Sequence, residues 1–196
     1  MLRRLGVAHD AGSAKPSLQD CLEAILEQSD GLIDDVLEGL RASVLGVQGK
    51  TLHALQNPSG KAAIEQLCAR GDLVRQSFAH ALRVAMYGGN ALRHSVQPLV
   101  RFDDFQFLEE DQIDANIEMA MTQQEVMLAV DQVLPPLNSL VSSLMGWSTA
   151  QPHLNPIKPD SFVYALRESF AGQGIPDAVR SGLMTAAAGL LGVSLR

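Results

Sequence analysis

A sustained helical period of apolar residues is the feature of this chain that most restricts its fold. From residue 18 onward, apolar residues recur every three or four positions and charged residues recur on the opposite side. That spacing is typical of an amphipathic α-helix, because one turn contains about 3.6 residues. The apolar positions are Leu18, Leu22, Ile25, Leu26, Ile33, Val36, Leu37, Leu40 and Val44. Ser17, with Asp20 three residues later, predicts a capping pair at the start of this helix.

Further helices are needed to bury that stripe, and the later sequence predicts them. A helix over about 62–87 should end at Gly88-Gly89, and Gly71 is a point where it could break or bend. Its predicted buried residues are Ile64, Leu67, Val74, Phe78, Leu82 and Met86. The helical period returns from Glu109 and continues to Leu144, with a kink or restart at Pro135-Pro136. Two last helices are predicted over about 160–171 and 176–191, the first of them with Phe162, Leu166 and Phe170 inward.

These patterns predict an all-α fold, an irregular bundle of about five to seven helices. The alternating stretch Phe102–Phe107 is too short to build a sheet, and no internal repeat is present. Residues 1–16 predict a flexible N-terminal arm, because Gly and Pro interrupt any period there. Residues 17–196 predict a single helical domain. A sub-boundary, if there is one, would fall in the Pro-rich loop over 146–159.

Composition limits the class of protein. The chain of 196 residues is 46% hydrophobic and 19% charged, as in globular proteins, and its net charge of −7 disfavours nucleic-acid binding by the chain as a whole. Two Cys, at positions 21 and 68, form neither a disulfide framework nor a zinc site. No export signal is recognisable, and the uncharged stretch Ser181–Leu195 is too short to cross a membrane. We therefore expect a cytoplasmic protein.

Charge is segregated along the chain. Between Arg101 and Lys158 there is no Lys or Arg, while nine acidic residues lie there. Residues 50–101 contain seven Lys or Arg against two acidic residues, a local charge of +5. The ordinary interpretation is that basic and acidic helices lie side by side or face solvent. The alternatives are an acidic face that binds a basic partner, or arginines that bind a phosphate group.

Motifs with a known chemistry are incomplete. The stretch Gly46–Thr51 resembles part of a phosphate-binding loop, but Val44 occupies the place of the first Gly of that motif. Glu110, Asp114 and Glu118 share one helix face, yet the segment has no Glu-x-x-His pair of the kind that holds metals in bundles. No catalytic, cofactor-binding or metal-binding residue is predicted, and we expect the protein not to be an enzyme.

The acidic segment leaves two interpretations of its apolar residues open. Helical spacing places Ile113, Ile117 and Met121 inward, with the acidic residues outward. Met119, Met121 and Met127 fit packing in the core, or else a Met-rich surface for partner helices. The single Trp, Trp147, fits a buried plug, or else an exposed anchor. Methionine and tryptophan are both more often buried than exposed, so burial is the favoured interpretation.

The order of features resembles a known family. The stretches that carry the resemblance are Leu18–Leu45, Phe102–Met121, Leu134–Leu140 and Asn155–Phe170. Together they are similar to the N-terminal region of a bacterial family, domain-of-unknown-function family 1631, over about residues 17–192. The track Asn-Pro-x-x-Pro-x-x-Phe, from Asn155 to Phe162, is the most specific element. The resemblance implies a cytoplasmic bacterial regulatory or scaffolding protein and transfers no catalytic residue.

Members of that family are usually several times longer, which implies that this chain is a fragment or a short member. The apolar run at its end would then lack its cover and mediate self-association as a homo-oligomer. That run consists of Leu183, Met184, Leu190 and Leu191.

Two functional hypotheses follow. The first is a non-enzymatic interaction or scaffold module that binds a protein partner. Its predicted partner-binding residues are Phe102, Phe105, Phe107, Glu110, Asp114 and Glu118. The alternative is binding of a nucleotide of the cyclic di-GMP type, or of nucleic acid, through the basic face over 70–101. Its predicted residues are Arg75, Arg83 and Arg93.

Overall fold

The fold is an all-α irregular bundle, as predicted. The structure is a computed structural model that describes residues 16–44, 55, 57–88 and 110–196, and no β-strand occurs within these ranges. Its helices are α1 (Leu18–Glu27), α2 (Ser29–Val44), α3 (Pro58–Ala69), α4 (Gly71–Tyr87), α5 (Glu110–Val130), α6 (Leu134–Leu144), α7 (Pro159–Ala171) and α8 (Asp177–Ser194). A short 3-10 helix, Pro152–Leu154, precedes α7.

Two of the predicted long helices are each divided in two. α1 ends at Glu27, where the Ser29 hydroxyl donates a hydrogen bond to the Leu26 carbonyl at 2.6 Å. A serine hydroxyl that bonds back to the preceding turn bends or interrupts a helix. α3 and α4 meet at Arg70, whose backbone leaves the helical region just before Gly71. These breaks allow the chain to change direction without a long loop.

The start of α1 has the predicted capping pair. The Asp20 amide donates to the Ser17 hydroxyl oxygen at 3.2 Å, and the Ser17 amide donates to the Asp20 carboxylate at 2.8 Å. The same hydrogen bond from the Ser17 backbone, followed by the Ser17 hydroxyl, lowers the pKa of the Asp20 carboxyl. Sequence alone located this helix start to the residue.

The core is built around α4. This helix packs most extensively against α7 and also contacts α2, while α8 packs against α5 and α2. Every residue predicted to be buried in the stretch over 62–87 is buried, and Phe78 is fully enclosed. Phe162, Leu166 and Phe170 of α7 are likewise buried, as predicted. The two predicted stripes therefore face one another across the centre of the bundle.

α8 belongs to this core, which corrects one expectation. Leu183, Met184 and Leu191 are at most 2% exposed, and Leu190 packs against Gly39 of α2. The terminal apolar run is therefore covered by the chain's own helices, and the premise that it lacks a cover is wrong. Self-association through α8 stays a prediction, without its original reason.

α5 and α8 approach each other along a seam of small residues. A Cβ atom added to Gly192 would lie 2.6 Å from the Ala129 Cβ, closer than two carbon atoms can pack. On the α5 side of the seam, Thr122, Val126 and Val130 are buried. None of the helices in the described ranges is long and apolar enough to cross a membrane.

Candidate interaction surfaces

The predicted phosphate-binding arginines of α4 already contact carboxylates. Arg75 forms ion pairs with Asp34 of α2, at 2.5 Å, and with Asp72 of its own helix. The hydrogen bond to Asp72, followed by the one to Asp34, raises the pKa of the Arg75 guanidinium. A phosphate group would have to displace these carboxylates from Arg75.

Arg83 is held in a second cluster, which joins α4 to α1. Its two terminal nitrogens donate to the Glu23 carboxylate at 3.3 and 3.2 Å, and the Tyr87 hydroxyl donates to the same carboxylate at 2.8 Å. The Tyr87 hydroxyl, followed by Arg83, lowers the pKa of the Glu23 carboxyl, and Glu23 in turn raises the pKa of Tyr87. Arg75 and Arg83 of α4 are therefore paired with carboxylates of α1, α2 and α4 itself.

A groove lies between α2 and the junction of α3 with α4, beside Arg75. Its volume is about 700 Å³, and its lining includes Arg41, Cys68 and Asp72. The Cys68 thiol donates a long hydrogen bond to the Leu37 carbonyl, and burial raises the pKa of this thiol. A raised pKa leaves little thiolate at neutral pH, so Cys68 is a poor nucleophile.

A second groove of about 660 Å³ lies where the break between α1 and α2 faces the start of α7 and the end of α8. Apolar side chains from all four helices or their flanks line it, together with Glu27 and Asp35. The apolar lining residues are Ile25, Leu32, Ile157, Phe162 and Leu195. In the part of the chain that the structure describes, no group of three or more His, Cys, Asp or Glu could hold a metal ion.

The outward face of α5 presents large apolar side chains to solvent. Ile117 is 51% exposed, Met121 is 50% exposed and Leu128 is 66% exposed. Positions four and seven residues apart lie on one helix face, so these three form a single stripe, named here the α5 stripe. Met127, 40% exposed, borders it. No residue in the described ranges covers these side chains.

This stripe corrects the predicted orientation of α5. Ile117 and Met121 were expected inward, and core packing was the favoured interpretation of Met121 and Met127; both expectations are wrong. The reason is the close seam with α8, which admits only small or β-branched residues of α5 and turns the longer side chains outward. The Met-rich surface, the second interpretation, fits the exposed positions.

The acidic residues predicted for partner binding lie on the same helix. Glu110, Asp114 and Glu118 occupy α5 positions four residues apart, but their side chains are outside the described part of the structure. Phe102, Phe105, Phe107 and Arg93 lie outside the described residues altogether. Glu125 and Asp131 are described and exposed, and within the described part of the chain no Lys or Arg forms an ion pair with either of them.

The end of α6 places Trp147 at the surface. Gly146 has a φ of +83°, a left-handed conformation that glycine adopts without strain. The Trp147 amide then donates to the Ser142 carbonyl at 2.9 Å, and the Gly146 amide donates to the Ser143 carbonyl at 3.0 Å. This pattern closes the helix as a Schellman motif. Trp147 is 50% exposed, so the expectation of a buried plug is wrong.

The track from Asn155 to Phe162 builds the turn into α7. The Asn155 side-chain amide donates to the Asn138 side-chain oxygen of α6 at 2.8 Å, and the Ile157 amide donates to the Asn155 side-chain oxygen at 2.8 Å. Pro159 occupies the first turn of α7, where the missing N–H leaves no helical hydrogen bond unmade. Asn155 and Phe162 are both buried. This track therefore joins α6 to α7, and its buried side chains have a structural role.

Comparison with known sequences places the chain in a family. The family described as protein of unknown function (DUF1631), N-terminal domain, matches residues 13–192, which is nearly the whole chain. The chain belongs to this family. No curated protein and no solved structure matches it. The resemblance of this DUF1631 N-terminal domain inferred from the sequence is thus confirmed.

Sequence reasoning identified the α5 stripe of this DUF1631 domain only in part, as the less favoured Met-rich surface of Met121 and Met127. A signal was present, because apolar residues occur all around α5 and one packed side cannot accommodate all of them. The sequence does not say which of two apolar faces is packed. That choice depends on Gly192 and Ala129, which are distant in sequence and adjacent in the fold.

Proposed function

We propose that this DUF1631 N-terminal domain is a non-enzymatic interaction module of a cytoplasmic bacterial regulatory or scaffolding protein, and that its partner binds to α5. The observation that carries the proposal is the α5 stripe. Large apolar side chains that are half or more exposed along one helix face are a common mark of a protein-binding surface. The stripe also lies in the segment that has no Lys or Arg, beside the residues predicted from sequence.

The test places a photoactivatable cross-linking amino acid at Met121 or at Leu128 in the full-length protein, in cells that express it. Leu73 of α4, which is 55% exposed, is the matched control position, because it is an exposed apolar residue on a different helix. We expect one protein to cross-link to positions 121 and 128 and not to position 73. Equal labelling at all three positions, or no cross-link from α5, would contradict the proposal.

Charge reversal tests the acidic part of the surface. Replacing Glu110, Asp114 and Glu118 with Lys is expected to leave the helical content and the melting temperature unchanged and to abolish the cross-link from Met121. Unchanged cross-linking would restrict the surface to the apolar stripe and would remove the acidic residues from the proposal.

The alternative of nucleotide or nucleic-acid binding is less favoured. Arg75 and Arg83 are already paired with Asp34, Asp72 and Glu23, so anion binding would have to break these contacts. Titration of the domain with cyclic di-GMP and with a short duplex, at low and high salt, tests it. Binding that weakens steeply with salt and is lost in R75A would favour the alternative.

A further inference from the structure

The charge around the α5 stripe restricts what can bind there. Every ionisable residue of α5 is acidic, and the first Lys or Arg after Arg101 is Lys158. Glu125 lies between Met121 and Leu128 along the helix, and Asp131 follows α5 directly. Both are exposed and without a cation partner in the described residues. An occupant that supplies cations beside its apolar face would neutralise this charge.

The fold restricts the shape of the occupant as well. The described residues contain no β-strand, so there is no sheet edge to which an extended peptide could add main-chain hydrogen bonds. A helix satisfies its own backbone and offers apolar residues at the same spacing as the stripe. Residues 117–128 span about 16 Å of helix, at about 1.5 Å per residue, and a partner helix of three to four turns matches about this length.

Two other occupants fit the surface less well. A second copy related by two-fold symmetry would place acidic α5 against acidic α5, and like charges at an interface are unfavourable. An anionic membrane surface would repel the same residues, since amphipathic helices that bind such membranes are rich in Lys and Arg.

We propose that the α5 stripe binds a basic amphipathic helix of another protein. The apolar face of that helix packs on Ile117, Met121 and Leu128, and its Lys or Arg side chains lie near Glu125 and Asp131. The flexible Met121 and Met127 side chains adapt to the partner's apolar residues. This inference rests on the proposed function and names the chemistry of the partner.

The test measures binding of a designed peptide to the whole chain by fluorescence anisotropy. The probe is a labelled Leu/Lys peptide of about 18 residues with an amphipathic helical pattern, long enough to be helical on a surface. Two control peptides have the same length: one has the same composition in scrambled order, and one has Glu in place of Lys. We expect the basic amphipathic peptide to bind with a Kd on the order of micromolar, and both controls to bind at least about tenfold more weakly.

Variants of the chain separate this surface from general attraction between opposite charges. M121S/L128S is expected to weaken binding about tenfold, whereas L73S is expected to leave it unchanged. E125Q is expected to weaken binding and to reduce its salt dependence, whereas E38Q, which changes an exposed acidic residue of α2, is expected to do neither.

Several results would overturn the inference. Equal binding of the scrambled peptide, or full binding by M121S/L128S, would show that no such surface is used. A large loss of stability in M121S/L128S together with no peptide binding would show that the chain itself covers the stripe. If α5 cross-links to a partner in cells and the basic peptide does not bind, the partner chemistry is wrong and the proposed function stands.

Discussion

Asn155 is a buried polar side chain that holds the turn into α7. Its side-chain oxygen accepts a hydrogen bond from the Ile157 amide, and its side-chain NH2 donates one to the Asn138 side-chain oxygen. Both asparagines are buried. N155A would leave the Asn138 oxygen and the Ile157 amide without partners. Each unpaired buried group costs about 1–3 kcal/mol, so we expect unfolding in urea to show a loss of about 2–6 kcal/mol for the two groups together.

The control for this prediction is S139A, on the exposed side of the same helix α6. Its hydroxyl donates only to the Pro135 carbonyl one turn earlier. A surface change of this kind is expected to alter stability by no more than about 0.5 kcal/mol. If N155A were as stable as S139A, the turn into α7 would not depend on the asparagine pair.

Glu23 predicts a pH dependence of the contact between α1 and α4. Because the folded state lowers the pKa of the Glu23 carboxyl, its contribution to stability is present above the ordinary pKa of 4.5. That contribution is lost as the pH falls through the lower pKa of the folded state. We therefore expect the difference in unfolding free energy between the wild type and E23Q to be constant at neutral pH and to shrink below pH 4.5.

Y87F provides the matched comparison. The Tyr87 hydroxyl is the largest cause of the lowered pKa of Glu23, so its removal should raise the folded-state pKa towards the ordinary value. The loss on acidification should then be smaller and end at a higher pH. Chemical denaturation series at several pH values measure both effects. If the difference in unfolding free energy between the wild type and E23Q stays constant into strong acid, the negative charge of Glu23 does not stabilise the fold.

For single residues, the sequence predicted the structural role correctly where the interacting partners are close in the chain. Ser17 and Asp20 are three positions apart, and the rule for capping pairs needs nothing else. Phe78 was predicted because its helical stripe is continuous. Asn155 and Glu23 could not be assigned a role, since their partners lie 17 and 60 or more residues away.

Among the elements, the α5–α8 seam decides which face of α5 meets the core. G192A would bring a Cβ within 2.6 Å of the Ala129 Cβ, so the helices would have to move apart. Such overpacking costs about 1–3 kcal/mol. We expect thermal or chemical unfolding of G192A to show this loss, and A129G in the same chain to restore part of it.

Gly189 is the control glycine on the same helix. A Cβ added there meets nothing within 4 Å. G189A is therefore expected to be neutral or to stabilise by up to about 1 kcal/mol, because alanine favours the helix more than glycine does. Equal losses in G189A and G192A would mean that the close contact with Ala129 is not the cause of the loss in G192A.

The seam also explains why the helices could be predicted and the orientation of α5 could not. Periodicity identifies a helix from its own residues. The choice between two apolar faces depends on which one fits a neighbour, here Gly192 of α8 against Ala129 of α5. The break between α1 and α2 was hard to predict for a related reason: the period of α1 continues into α2, although the hydrogen bond of Ser29 interrupts the helix. The break between α3 and α4 falls at Gly71, where the low helix propensity of glycine predicted a break or bend.

For the whole molecule, the residues that stabilise the fold differ from those that are free to contact a partner, and α8 and α5 supply one leucine of each kind. Leu191 is fully buried, whereas Leu128 of the neighbouring helix is largely exposed. L191A is expected to lower the unfolding free energy by about 2–5 kcal/mol, as for other truncations of buried leucine. L128A is expected to change it by less than about 0.5 kcal/mol.

Light scattering after size-exclusion chromatography completes this comparison. If the wild type forms an oligomer through α8, the native L191A variant should have a different molar mass from the native wild type. Both are measured well below the unfolding temperature. A wild type and L191A of the same native mass, with the stability of L191A reduced, would assign Leu191 to the core alone.

The Schellman turn that ends α6 gives the chain an intrinsic optical probe. Trp147 is the one tryptophan in the sequence, its backbone is fixed by the hydrogen bond to Ser142, and half of its surface meets water. Its emission maximum and its quenching by iodide should therefore report on the environment of this single corner of the bundle. A ligand or protein that reaches the corner would shift the emission to shorter wavelength, without any label attached to the chain.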